Sequence, residues 1–371
     1  MRDLDFSKER WATVYSTYRQ WWAGELPRPI IPVEIKDRDP SRVTPPVPLL
    51  SQTTCTLTDF SAEQIVDRID HELSRNHYVG DAFPYFNMDC FGPGAVAAFL
   101  GAEIINHTGH VWFETPPVSS DDIESLHFEY DASNKWFNRV KDIYKAGMDR
   151  WQGMVLMGMP DLGGICDLLA VFMPGGELQL ALYENPKEVK RLIGELQTLW
   201  FQYYDELLPL VSPNGKTMTD WSSILNLEPG YIIQSDFSVM VSPEMFNEFI
   251  LPELKDTCRR LPKSIFHMDG PGEIRHLDSL LTIDDLDGVQ WIPGAGAPDI
   301  AHWPEVFSKI NQSGKLLQLI NNSFDSHAYD QALLINANAR GRHLRQFQVE
   351  KQCRDAVLEW LQRHNVPLAV S

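Results

Sequence analysis

Residues 264–293 combine two short apolar runs with a turn and a helical stripe between them. The first run, residues 264–266, is too short for a helix and ends near a Gly-Pro-Gly turn at residues 270–272. Apolar residues then recur at three- and four-residue steps over residues 274–281, which predicts a helix. A second apolar run follows at residues 288–292. Such a βαβ unit requires parallel strands, which places the chain in the α/β class.

The rest of the chain repeats this pattern, and most of its short apolar runs are followed by a helical stripe. The predicted strands are residues 82–86, 154–159, 217–219, 231–233, 264–266, 288–292, 316–320 and 342–347. A chain of 371 residues is long enough for a TIM (β/α)8 barrel, which needs roughly 250 residues. We therefore predict a barrel of this type over residues 81–371.

The remaining N-terminal part, residues 1–80, is predicted to be an extension packed on the barrel. It contains an aromatic helical face over residues 7–22 and a proline-rich segment over residues 26–48. A lid or an oligomer contact, as in a homodimer, is the alternative role of this extension. Residues 103–130 are aromatic and acidic without a long period, and they are predicted to be an insertion after the first strand.

Charge and cysteine content limit the partners and the compartment. The net charge is −19 and no basic block occurs, which argues against nucleic acid and an anionic membrane surface as partners. No apolar run reaches the length of about 18 residues that a membrane span needs. The five cysteines are scattered without a CxxC pair, which predicts a reduced, cytoplasmic protein.

Polar residues stand where most of the predicted strands end. In α/β barrels the C-terminal strand ends form the mouth that holds the active site. The candidate mouth residues are Asn87, Asp89, Asp161, Asp220, Gln234, Asp236, His267, Asp269, Gln290, Asn321, Asn322 and Gln348. His267 leads this set, because a strand-end histidine beside Asp269 can be a metal ligand, a general acid or base, or a hydrogen-bonded core group.

The other candidates divide by the chemistry of their side chains. Asp236 and Asp161 are the carboxyl groups predicted to act in catalysis with His267. The predicted substrate contacts are Asn87, Asp89, Trp221, Gln234, Trp291 and Asn321. An aromatic and acidic cleft suits a methylated ammonium group or a polyol. The alternatives are Asx turns for Asn87 and Asp89 and packing of the barrel top for the two tryptophans.

Several short segments occur in an order and spacing shared with a known superfamily. They are residues 21–29 (WWAGELPRP), 91–94 (FGPG), 100–103 (LGAE), 234–238 (QSDFS), 242–246 (SPEMF), 249–252 (FILP), 267–270 (HMDG) and 288–291 (GVQW). They resemble the uroporphyrinogen decarboxylase superfamily, and the pattern is most similar to its corrinoid-linked methyltransferase-like branch. The resemblance covers most of the chain and implies a TIM-type barrel with its cleft at the C-terminal strand ends.

In that branch a His-x-Cys pair and a second cysteine on the last strand hold zinc, which lowers the pKa of a substrate thiol. Here residues 267–269 read His-Met-Asp, and the second cysteine position falls near Gln348. The resemblance therefore implies a metal site of His267, Asp269 and Gln348. Glutamine is a poor zinc ligand, so zinc, another divalent metal and no metal all remain open.

Three functions follow from these expectations. The first is a methyltransferase that moves a methyl group between a small substrate and a corrinoid or thiol acceptor, with cobalamin carried on a partner corrinoid protein. The second is a cofactor-independent decarboxylase or lyase that acts on a small carboxylated substrate. The third is a non-catalytic small-molecule binder. Porphyrinogen decarboxylation itself is disfavoured, because the arginine-rich motif of that branch is absent and an acidic mouth repels a polycarboxylate.

Overall fold

The structure is a computed structural model that describes residues 4, 6–212, 215–321, 324–334 and 341–368. Its strands are short and most of them are buried. They are β1 (Pro32–Lys36), β2 (Asn76–Gly80), β3 (Tyr85–Phe86), β4 (Glu103–Ile105), β5 (Trp112–Glu114), β6 (Leu156–Met157), β7 (Gly230–Gln234), β8 (Lys263–Asp269), β9 (Gly288–Ile292), β10 (Leu316–Leu319), β11 (Arg342–Leu344) and β12 (Phe347–Glu350).

The helices lie between these strands and cover the sheets. They are α1 (Lys8–Trp22), α2 (Ala62–Leu73), α3 (Ala95–Phe99), α4 (Lys135–Trp151), α5 (Ile165–Phe172), α6 (Glu177–Glu184), α7 (Pro186–Val211), α8 (Pro243–Met245), α9 (Leu251–Arg260), α10 (Leu277–Leu280), α11 (Pro304–Gln312), α12 (Ser326–Leu334) and α13 (Arg354–Arg363). Helix α2 begins with a complete capping box, in which Ser61 and Gln64 each bond the other's backbone N–H.

Five parallel strands form the largest sheet, in the order β11-β10-β9-β8-β7. Consecutive strands of this sheet are neighbours, as expected when a helical segment or loop returns the chain after each strand. Strands β3 and β6 form a separate parallel pair. The parallel α/β class that the sequence predicted is therefore confirmed.

Within the described residues, the hydrogen-bonded strands do not close into a continuous (β/α)8 barrel. The first gap lies between β6 and β7, where the third strand was predicted. Among the described residues, 217–219 form no named strand, and only isolated bridges join Met218 to Asn226 and Met159 to Asp220. The Asp220 side chain takes over the connection, since its Oδ2 accepts a hydrogen bond from the backbone N–H of Ile232 in β7 at 2.9 Å.

The second gap lies between β11 and β3, where the predicted eighth strand, residues 342–347, is shorter than expected. The Gln346 side chain bridges this gap by accepting a bond from the Phe83 N–H at 3.3 Å and donating one to the Phe83 carbonyl at 3.0 Å. A primary amide presents the same donor and acceptor as a backbone peptide. Two side chains thus join the sheets where strand pairing stops.

The N-terminal extension is tied to the end of the chain. Strand β1 lies between β2 and β12 in a three-stranded sheet, antiparallel to β2 and parallel to β12. Just before it, Ile30 bridges β11 beside His343. The buried Arg28 guanidinium holds Asp81 in a two-pronged pair at 2.6 and 2.8 Å. Arg28 is therefore occupied within the fold.

Two further elements complete the fold, the β4–β5 pair and a π-helical turn before α9. The predicted insertion over residues 103–130 follows β3 and contains the antiparallel pair β4–β5. The helical segment over residues 243–260 is interrupted by a π-helical turn at Phe246–Ile250. Pro252 explains the wider turn, because it has no N–H and its ring crowds the carbonyl four residues earlier.

In the part of the chain that the structure describes, no single helix is both long enough and apolar enough to cross a membrane. The sharply bent pair α5 and α6 reaches the required length and composition only when the two helices are counted together.

We expect Asp81→Asn to lower the free energy of unfolding by about 3 kcal/mol, because it leaves the Arg28 guanidinium buried without its counter-charge. Urea unfolding of the full chain measures this change. The matched control is Asp205→Asn, which breaks the exposed pair with Arg260 and should cost about 1 kcal/mol or less. Equal losses in the two variants would contradict a structural role for the buried pair.

Candidate active site

A row of buried polar side chains crosses the five-stranded sheet. Each strand contributes one residue, and strand pairing aligns Gln234, His267, Gln290, Gln318 and His343 as successive neighbours. Alternate residues of a strand face opposite sides, so residues in the same register share one face of the sheet. We call these five residues the polar row.

His267 lies in the polar row near the C-terminal end of β8. Its Nδ1 is hydrogen-bonded to Gln290 Oε1. Its Nε2 has no hydrogen-bond partner among the described residues and is not one of the buried unpaired atoms, so it is accessible to solvent. We call the space in front of it, within interaction range of Asp89 and Asp236, the cleft. Strand β8 extends to Asp269, three residues beyond the predicted run, and Asp269 is exposed two positions after His267.

Trp221 and Arg345 form one wall beside His267. The Trp221 ring meets the imidazole edge to face, with 4.9 Å between ring centroids and a 79° interplanar angle. The Arg345 guanidinium lies 5.8 Å from the Trp221 ring centroid and donates to the Trp221 carbonyl at 2.9 Å. The wall is therefore aromatic and carries one fixed positive charge.

The acidic side of the site consists of carboxyl groups that lie within interaction range of one another. Burial raises the pKa of Asp89, although Arg345 and His267 act to lower it. Burial raises the pKa of Asp161 far above its usual range, and the charges of Asp89 and Asp236 raise it further. Groups of this kind hold their proton at a pH where an exposed carboxyl group has lost it.

Asp236 is the solvent-exposed member of this cluster and lies two residues after the end of β7. The pKa of the Asp236 carboxyl group is raised, chiefly because surrounding protein atoms displace water from it. The charge of His267 acts to lower this pKa, and the charge of Asp269 acts to raise it. The Asp236 backbone is fixed from behind by Asp167, which accepts bonds from the N–H groups of Asp236 at 3.1 Å and Phe237 at 2.6 Å. Burial and the charge of Asp236 raise the pKa of Asp167 to about 7.

Glu273 is the most perturbed acid of this region. It is 1% exposed, and neither carboxyl oxygen makes a hydrogen bond of normal geometry to the described residues. Burial, followed by the charges of Asp236, Asp167 and Asp269, raises its pKa to about 10. The carboxyl group is therefore neutral at physiological pH.

Three of the predicted substrate contacts, Asn87, Gln234 and Asn321, are engaged in local contacts or buried. Asn87 Oδ1 accepts a bond from the Asp89 N–H at 3.0 Å, which is an Asx turn. Gln234 is buried in the polar row, and its Oε1 has no partner. Asn321 follows β10 and its backbone lies against the Tyr329 hydroxyl. Asn322 lies outside the described residues.

Trp291 does not face the cleft, contrary to the prediction. It follows Gln290 in β9, and because Gln290 points towards His267, the next side chain points to the other side of the sheet. Trp291 is fully buried there and packs against Trp303, with 5.0 Å between ring centroids. It is a core residue behind the site.

The predicted metal set is also not brought together. Gln348 lies on β12 in the three-stranded sheet, where its amide bonds Asn76 at 3.0 Å and Glu34 at 3.4 Å. No group of three or more His, Cys, Asp or Glu side chains among the described residues is arranged to hold a metal ion. The zinc site implied by the resemblance therefore does not fit these residues, because Gln348 on β12 belongs to a different sheet from His267 on β8.

Sequence reasoning missed five residues of this region, namely Asp167, Glu273, Gln318, His343 and Arg345. Gln318 carried a usable signal, since it is the single polar residue of the apolar strand β10, at the position that pairs with Gln290. His343 carried a weaker one, because Arg342 stands beside it in β11. Arg345 and Glu273 carried none, because their relevance depends on loops that follow the strands.

The comparisons with known proteins agree with the fold. No protein-family model matches the sequence, and no curated protein matches it. Among solved structures, the chain is similar to a methyltransferase from Methanosarcina mazei, with a TM-score of 0.52 and 12% sequence identity. The match covers 86% of this chain and 94% of the other. At this identity the likeness concerns the fold.

We expect Glu273→Gln to change how stability depends on pH. The folded-state pKa of Glu273 lies above the ordinary glutamate value of 4.5, so its contribution is complete below about pH 4.5 and is lost as the pH rises towards 10. The variant should therefore gain stability over the natural protein between pH 5 and 9, by at most about 1.4 kcal/mol per pH unit.

Urea unfolding at several pH values measures this gain. The matched control is Glu359→Gln, which alters an exposed residue of α13. A difference between Glu273→Gln and the natural protein that stays constant with pH would show that Glu273 is not a buried neutral acid.

Proposed function

We propose that this protein is a methyltransferase-like enzyme that moves a methyl group between a small substrate and a corrinoid or thiol acceptor at the C-terminal ends of β7 and β8. The observation that carries the proposal is the geometry of His267, whose Nδ1 is bonded to Gln290 while Nε2 opens to a cleft lined by acids. The fold likeness to a protein named as a methyltransferase supports this reaction class.

The cleft supplies both partners of a proton transfer. His267 Nε2 is placed to take the proton of an acceptor thiol, which leaves a thiolate as the nucleophile. A carboxyl group with a raised pKa, such as Asp161 or Asp236, is placed to protonate the leaving atom of the methyl donor. The methyl–donor bond breaks as the methyl–sulfur bond forms, and the two protons balance.

This mechanism uses no metal, since the set of His267, Asp269 and Gln348 does not assemble. It also uses no thiol of this chain, because four of the five cysteines are buried and Cys353 lies in the turn before α13. With a corrinoid acceptor, the corrinoid would be carried on a separate protein, and only the leaving atom would then need a proton from the cleft.

We expect His267→Ala to lower the rate of methyl transfer by at least about 100-fold, because it removes the proton acceptor. The assay follows methyl transfer from a panel of small methylated compounds to a thiol or to free cobalamin. Gln348→Ala is the matched control and should keep full activity. Thermal unfolding should change little in either variant.

Three results would count against this function: a fully active His267→Ala variant, loss of folding in that variant, or loss of activity in Gln348→Ala. The last result would instead restore Gln348 as a member of the metal set.

A second function, a decarboxylase or lyase on a small carboxylated substrate, is favoured by Arg345. Its guanidinium lies beside Trp221, and its charge reaches Asp89 and Asp220. An arginine binds a carboxylate with two parallel hydrogen bonds. Release of CO2 from a panel of small carboxylic acids, lost in Arg345→Met and absent for methylated compounds without a carboxylate, would select this function over methyl transfer.

A further inference from the structure

Four of the five residues of the polar row, from His267 to His343, form a continuous chain of hydrogen bonds that runs from the cleft to Tyr18 in α1. His267 bonds Gln290, and Gln290 bonds Gln318. Gln318 Nε2 lies 3.0 Å from His343 Nδ1, and His343 Nε2 lies 3.0 Å from the Tyr18 hydroxyl. Gln290, Gln318 and His343 are each 0% exposed, so water does not offer these groups alternative partners.

One contact fixes the direction of the chain. Gln318 Nε2 lies 2.9 Å from the backbone carbonyl oxygen of Ser222. A carbonyl oxygen only accepts hydrogen bonds, so the NH2 group of Gln318 must face it. The reversed amide would place two oxygens 2.9 Å apart without a proton between them. The Gln318 oxygen therefore faces Gln290.

The remaining orientations follow in sequence. Because Gln318 presents an oxygen, Gln290 must turn its NH2 group towards Gln318 and its own oxygen towards His267. An amide oxygen cannot donate, so His267 Nδ1 must carry a proton. In a neutral imidazole the other nitrogen then has the lone pair, and this nitrogen is Nε2, which opens to the cleft.

We propose that Gln290 and Gln318 are positioning residues that transmit the orientation set by the Ser222 carbonyl to His267. They hold neutral His267 in the Nδ1–H tautomer with the Nε2 lone pair directed into the cleft. The inference deepens the proposed function, in which Nε2 takes a proton. The tautomer itself follows from the hydrogen bonds and does not depend on the identity of the substrate.

The far end of the row is consistent with this direction. His343 accepts from Gln318 at Nδ1, so its Nε2–H donates to Tyr18. Burial lowers the pKa of His343 to about 3, which keeps the ring neutral and preserves one acceptor nitrogen. Both histidines of the row therefore have a defined tautomer, and the two tautomers are opposite.

The test is long-range 1H–15N correlation spectroscopy of the 15N-histidine-labelled full chain at a pH where His267 is neutral, with the His267 signals assigned by their loss in His267→Ala. We expect a protonated-type shift for Nδ1 and an unprotonated-type shift for Nε2. An Nε2–H tautomer, or an equal mixture, would overturn the inference in the natural protein without any variant.

Gln318→Leu tests the transmission, since Gln318 does not touch His267 itself and is bonded to its direct partner, Gln290. We expect the His267 signals to move from a predominant Nδ1–H tautomer to a mixture, and kcat to fall while KM holds. The control Gln197→Leu removes a half-buried amide on α7, outside the row, and should leave the tautomer unchanged. If Gln318→Leu does not fold, Gln290→Leu replaces it with the same expectation.

An unchanged tautomer in the folded row variant, or an equal change in Gln197→Leu, would overturn transmission through the row. Failure of the proposed function is distinguishable from this result. In that case the natural protein shows the Nδ1–H tautomer, and the row variant releases it, while no methyl transfer is detected with any compound of the panel.

Discussion

In-register pairing of the five parallel strands is the constraint on which the rest of the site depends. It places one polar side chain from each strand on the same face and at the same level, so that His267, Gln290 and Gln318 meet without any loop between them. A slip of one residue in a single strand would turn its polar member to the opposite face. That slip would leave buried donors and acceptors unpaired, which costs about 1–3 kcal/mol for each group. The same hydrogen bonds that form the site therefore also favour the observed strand register.

The acidic side of the cleft works against stability in a way that suits proton transfer. Asp161 and Glu273 are buried with raised pKa values, and Glu273 makes no hydrogen bond of normal geometry to the described residues that would compensate for the loss of water. Stability comes instead from contacts outside the cleft, such as the Arg28–Asp81 pair and the joints made by Asp220 and Gln346. The groups that make these contacts are therefore not Asp161 and Glu273.

The fold is similar to that of a protein named as a methyltransferase, yet the metal set expected from the sequence resemblance does not assemble. His267 keeps its strand position, Asp269 lies exposed at the strand end, and Gln348 belongs to another sheet. With Nδ1 held by Gln290, the open Nε2 of His267 and the neighbouring neutral acids are the groups that remain to do chemistry. These contacts are the basis of the proposed acid–base mechanism at the same place in the fold.

The sequence by itself determined the parallel α/β class and the positions of α1 and of β7 to β10, because these depend on local apolar periodicity. It also identified His267, Asp236 and Trp221 as residues near strand ends. Only the tertiary structure decided that Gln318 and His343 join His267, that Trp291 faces away, and that Gln348 lies in another sheet. The physical reason is that hydrogen-bond partners and pKa values depend on strand register and burial. Both are set by residues far apart in the chain, as with the Gln318 amide and the Ser222 carbonyl.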